Sequence, residues 1–163
     1  MAETADFDFA LDKQSADFLR QLQNPHVFEA FADDMAQRVA KDIAKKIRAK
    51  AKPFDYTTKG RKSVEATPEG DVKALLHMAV QNYGRGAGKR MPPPSEIEKW
   101  ARAKLGVENM GYVIARSIGE NGTPARGYVQ AAIKEVAGNN KRLQDHYDKA
   151  LATQLRKIRG RGV

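Results

Sequence analysis

There is no cysteine among the 163 residues of this chain, which excludes disulfides, thiolate metal sites and cysteine nucleophiles together. Histidine is nearly as scarce. His26, His77 and His146 stand far apart, in none of the spacings that metal motifs use, so no metal is expected. No run approaches the roughly 18 uninterrupted apolar residues of a membrane span, and no membrane contact is expected. The N-terminus does not read as an export signal either, because Glu3, Asp6 and Asp8 stand where such a signal is basic and then apolar. The expectation is a protein that matures where it is made, or inside a particle assembled there.

A readable active site is missing too. A triphosphate-binding loop needs a glycine five residues before its Gly-Lys pair and a hydroxyl residue after it. Here Gly88-Lys89 has Tyr83 at the first place and Arg90 at the second. A dinucleotide-binding turn leads straight into a helix, whereas Gly84-Arg85-Gly86-Ala87-Gly88 runs on to Pro92-Pro93-Pro94. Ser15, Ser63, Ser95 and Ser117 have ordinary cap, strand or helix places, with no histidine base beside them. Glu96/Glu98 and Asp33/Asp34 read as solvated charge on helices, not as an acid and base working together. The chain is therefore expected to be no enzyme and to need no cofactor.

What is present is a globular composition, 41% hydrophobic and 30% charged, of a length that fits one core. We expect a single domain over residues 1–158, with a flexible Gly/Pro loop at 84–94 and a basic tail at 159–163. The net charge of +9 is uneven: residues 1–40 hold eight acids and three bases, residues 41–163 twelve acids and twenty-six bases. Such polarity fits an acidic partner for the basic part or head-to-tail pairing of copies. Nucleic acid is a candidate partner through Lys41 to Lys52, the Arg85/Lys89/Arg90 cluster and Arg156, Lys157, Arg159 and Arg161. Against it, the aromatics lie on core stripes and do not alternate with the basic residues as in base-stacking modules.

Along the chain, Asp6 to Leu11 alternates Phe7, Phe9 and Leu11 with Asp6, Asp8 and Ala10, the period of a half-buried strand. A short helix over 15–23 follows, broken at Asn24-Pro25. The longest helix is predicted from His26 to Lys52, its apolar stripe running through Phe28, Phe31, Met35, Val39, Ile43 and Ile47. Residues 61–67 read as a strand ended by Pro68-Glu69-Gly70. Residues 71–83 carry helical spacing, although a strand partner is also wanted there. After the loop, Ser95 and Glu98 form a capping box for a helix ended by Gly106. A helix through Met110, Val113, Ile114 and Ile118 comes next. Thr123 then caps, and Pro124 begins, another with Tyr128, Val129, Ala132, Ile133 and Val136 inside. A last helix spans about 141–159.

The order of features from Tyr83 to Val136 resembles a family of tailed-phage morphogenesis proteins: neck, head–tail connector or tail-completion components. The residues that carry it are Tyr83-Gly84-Arg85 leading to Pro92-Pro93-Pro94, then Ile97, Trp100 and Lys104-Leu105-Gly106. Ile114-Ala115-Arg116-Ser117-Ile118, Gly122, Thr123-Pro124-Ala125-Arg126, Tyr128 and Ala131-Ala132 complete it. The chain departs from the family at Gln81-Asn82, where an acid is frequent, and at Gly127. The resemblance implies an α+β subunit, mostly helical, with a long N-terminal amphipathic helix packed on a small sheet and several helices after it. It implies a structural virion protein acting in an oligomeric ring at the head–tail joint or in tail completion. Its partners would be copies of itself and other neck or tail proteins, near the packaged DNA, in a virion assembled in the host cytoplasm. Arg85, Lys89, Arg90 and Arg126 are the candidate partner contacts. The alternative is a small basic nucleic-acid-binding accessory protein.

Overall fold

The structure is a computed structural model that describes Arg20, residues 23–54 and residues 58–160. The expected strand 6–11 and most of the helix 15–23 lie outside the described residues; Arg20 is helical. The described residues form seven helices and one small sheet: α1 (Pro25–Ala51), α2 (Lys59–Lys62), β1 (Glu65–Ala66), β2 (Val72–Lys73), α3 (Leu76–Tyr83), α4 (Pro94–Leu105), α5 (Gly111–Asn121), α6 (Tyr128–Ala137) and α7 (Asn140–Gly160). The fold is mostly helical α+β.

Asn24 sets the start of α1. Its side-chain oxygen accepts from the His26 N–H at 3.0 Å, and Pro25 takes the first helical position, where a missing N–H costs nothing. The fully buried stripe keeps Ile47 of the expected one and otherwise shifts to alanines. Ala40, Ala44, Ile47 and Ala51 are inside, Val39 and Ile43 are half-buried, and Phe28 is exposed. The cause is crowding: α6 and α7 both pack on α1, and small side chains let helix axes approach. Alanine recurs for this reason as the buried residue elsewhere, at Ala101, Ala115, Ala132 and Ala150. The main apolar cluster joins Ala44, Ile47 and Ala51 to Val64, Met78, Tyr128 and Ala132.

α7 runs antiparallel to α1. Near one end the Gln154 Nε2 donates to the Ala30 carbonyl at 3.0 Å, and near the other Arg142 and His146 approach Asp42 at 3.4 and 3.2 Å. The edge-on pair Phe31–Tyr147 lies between them, with centroids 5.3 Å apart.

The expected strand 61–67 shrinks to Glu65–Ala66, because Lys59–Lys62 turn as α2, while 71–83 resolves into both of its readings, a strand and then a helix. β1 and β2 pair antiparallel, Glu65 with Lys73 and Ala66 with Val72, and α3 follows. Pro68-Glu69-Gly70 is the turn between them, seated on α1. The Gln37 Nε2 donates to the Pro68 carbonyl at 2.8 Å, and a Cβ on Gly70, whose φ is +87°, would lie 2.8 Å from the Ala36 Cβ. Ser63 closes the unit by accepting the Leu75 N–H at 3.0 Å.

Two caps come from afar, where the sequence pointed to local ones. Pro93, not Ser95, precedes α4, and Glu98 serves the opposite helix. Its carboxylate accepts from the Asn109 N–H at 2.8 Å and the Gly111 N–H at 2.7 Å, closing the α4–α5 turn. Those backbone donors, Asn109 first, hold the Glu98 carboxyl below the usual carboxylate range. Likewise Thr123-Pro124 does not open a helix, because residues 124–127 are non-helical and α6 begins at Tyr128. Its cap is Asn82, fully buried, whose side-chain oxygen accepts the Val129 N–H at 2.8 Å while its carbonyl accepts from Gly127.

Candidate assembly surface

α4 and α5 form a hairpin that packs chiefly on itself. Its contact face is built for closeness. Gly111, Ala115 and Gly119 are the buried residues of α5, and a Cβ on Gly111 would lie 2.5 Å from the Pro94 carbonyl oxygen. The chain enters and leaves the hairpin at one point. There Arg85 and Thr123 exchange two backbone hydrogen bonds of 2.9 Å. Gly122 permits this crossing, because at its φ of +74° a Cβ would fall 2.1 Å from the Arg85 carbonyl oxygen.

The structure distributes the four candidate contact residues unequally. Arg85, Lys89 and Arg90 share the loop between α3 and α4, which the Gly88–Glu120 backbone bond of 3.3 Å also ties to α5. The Arg85 guanidinium turns back to donate to the Arg90 carbonyl, so its charge is partly used in shaping the loop. Lys89 and Arg90 are exposed. Arg126 belongs elsewhere. Its guanidinium lies 5.0 Å from the centre of the Phe54 ring, and Phe54 in turn stacks on Tyr128.

The basic run at the end of α1 is also divided. Lys46 and Lys50 both pair with Glu135 of α6, Lys50 at 2.9 Å. The hydrogen bond from Lys46, then that from Lys50, holds the Glu135 carboxyl down at about 2. Asp42, one turn before Lys46 on α1, meets Arg142 and His146. Lys41, Lys45 and Lys52 remain exposed.

Two apolar areas that the sequence placed in the core or left unremarked open to water. One surrounds the α4–α5 turn, where Leu105, Val107, Met110, Tyr112 and Val113 are all exposed. The other is a groove of about 590 Å³ lined by α1, β2, α3 and α6. Ile47, Val64 and Met78 lie inside it, and Leu75, Tyr83 and Ile133 reach its mouth at 48%, 65% and 44% exposure. Tyr83 and Ile133 sit on apolar helical faces, the same signal that a core residue gives.

Among the described residues no helix is long and apolar enough to cross a membrane, and no group of three His, Cys, Asp or Glu gathers as for a metal. No protein family, curated protein or solved structure was found to match the chain.

Proposed function

We propose that this protein is a structural subunit of an oligomeric ring, acting at the head–tail joint of a tailed bacteriophage or in completion of its tail. The observation that carries the assembly part is the apolar surface at the groove mouth and at the α4–α5 turn. Contiguous apolar area in water marks surfaces that meet other proteins. The particle comes from the resemblance over Tyr83–Val136, a segment that spans the hairpin, its loop and α6. On this reading the protein resides in the virion after assembly in the host cytoplasm. It contacts copies of itself and other neck or tail proteins, with Lys89 and Arg90 available to neighbours, and turns over no substrate.

The deciding experiment is particle morphology without this protein. DNA-filled heads that lack tails, or tails that fail to join, are the expected result; intact infectious particles refute the reading. Purified oligomers should also loosen as salt rises, because the acidic first forty residues and the basic remainder attract between copies. A DNA-binding accessory is the rival. The engagement of Lys46 and Lys50 by Glu135 weighs against it, since both are withheld from phosphates. A salt-dependent gel shift of DNA by the free subunit would favour it.

A further inference from the structure

The C-terminal half of α1 carries two sets of basic residues, and the structure gives them different surroundings. Lys46 and Lys50 turn to Glu135 of α6, while Asp42 turns to Arg142 and His146 of α7, so both carboxylates are engaged between helices. The other set faces water. From residue 41 to residue 52 the exposed positions are Lys41, Lys45, Arg48, Ala49 and Lys52. Steps of four, three and four place the four cations on one helical face, and Lys52, just past α1, keeps helical angles. Arg48 uses its Nε on the Ala44 carbonyl at 3.3 Å, and none of the four pairs with a carboxylate among the described residues. At about 1.5 Å per residue the row is roughly 16 Å long. α2, which packs on α1, adds exposed Lys59 and Lys62.

Helix chemistry does not account for this row. The macrodipole favours cations within the last turn, which reaches Arg48 and Lys52 but not Lys41 or Lys45. Like charges three or four residues apart repel, so the row weakens the helix that carries it until an outside anion arrives. Its composition names the kind of anion. Protein interfaces have an apolar centre and little lysine, whereas here the one uncharged exposed residue is an alanine. Single-strand sites add aromatic side chains on which bases stack, and residues 41–52 contain none. A duplex needs only the cations. One of its strands presents a phosphate about every 3.4 Å of axis, so the row spans roughly five.

We propose that this face of α1 binds the phosphate backbone of duplex DNA without regard to sequence. This rests on the ring reading above for its setting: each subunit presents one such row, and the duplex is the one the particle carries. Repetition around a ring multiplies a contact that a single copy makes weakly.

Fluorescence anisotropy of a labelled duplex, read beside sedimentation of the same full-chain samples, tests this. Wild-type oligomers should bind duplexes of unrelated sequence alike, with an affinity that falls steeply as salt rises. In Lys41→Gln/Lys45→Gln/Arg48→Gln the oligomer should form as before and affinity should drop about tenfold or more. The log–log salt slope should also flatten by about 2.7 per subunit in contact, at about 0.9 for each lost phosphate. Lys41→Arg/Lys45→Arg/Arg48→Lys, which keeps the charges, should bind as the wild type does. All three positions are exposed, and thermal melts verify that the fold is kept. Oligomers that ignore DNA, or bind it equally with the row neutralised, overturn the proposal and leave the ring reading standing. Loss of assembly by the neutralised variant without DNA gives the row to an acidic partner copy and overturns it too. A wild type that stays monomeric yet binds the duplex through the row upholds the proposal and sinks the ring. A monomer that binds nothing sinks both.

Discussion

Replacing Gly111 by alanine sets two physical effects against each other, and the structure says which wins. Gly111 is the first residue of α5, where alanine is the better helix former by at most about 1 kcal/mol. From sequence alone the substitution should stabilise. In the folded chain the new Cβ would lie 2.5 Å from the Pro94 carbonyl oxygen, 2.7 Å from the Glu98 Cβ and 2.9 Å from the Glu98 nitrogen. Two of those three atoms are backbone, so α4 and α5 must move apart, and overpacking of this kind costs about 1–3 kcal/mol. Separation also lengthens the Glu98 bonds to Asn109 and Gly111, which close the turn. The net expectation is about 1–2 kcal/mol of destabilisation, a fall in Tm of roughly 2–8 °C for a chain of this size. Because the hairpin packs chiefly on itself, amide exchange over residues 94–121 should quicken more than in α1. Gly86→Ala is the matched control, since its Cβ would meet only the tip of Lys89 at 3.9 Å. A Gly111→Ala protein as stable as the wild type, with unchanged protection in the hairpin, would refute the close-approach argument.

Asn82→Ala should cost about 1–3 kcal/mol in urea denaturation, because it removes the cap of α6 and leaves the Val129 N–H without its acceptor. Asn82→Asp, which keeps an acceptor, tests whether the side-chain oxygen is what matters. The Glu135 carboxyl is held at about 2 when folded and returns to about 4.5 when unfolded, so its stabilising effect is present above 4.5 and lost as pH falls toward 2. Glu135→Gln should accordingly flatten the stability profile over that window, measured by thermal melts at stepped pH. Gly122→Val should break the Arg85–Thr123 crossing, and trypsin should then cut at Lys89-Arg90 faster than in the wild type.

Much of the helical framework is legible in the sequence because it is written locally. Asn24-Pro25 and Pro53 bound the long helix, and Gly106 ends α4 in the left-handed conformation that glycine favours. The two distant caps are not written that way. Asn82 and Val129, or Glu98 and Gly111, become neighbours only after the chain has folded, while Ser95 and Thr123 imitate a local signal. The alanine core is hidden for a related reason. Periodicity weighs Ile43 above Ala44, yet the space between crowded helices admits the smaller side chain. The groove is hardest to foresee, since Tyr83 and Ile133 carry the pattern of buried residues and only the absence of a covering element among the described residues exposes them. Of the candidate contacts, Lys89 and Arg90 are exposed, but charge gave no sign that Arg85 would fold onto a carbonyl or Arg126 onto a ring.

The crossing of Arg85 with Thr123 has an architectural consequence. Everything between these two residues departs from, and returns to, a single place on a body made of α1, the small sheet, α3, α6 and α7. The hairpin is thus a graft, not a beam. It can lengthen, shorten or be exchanged for another without disturbing the alanine seams that hold the body.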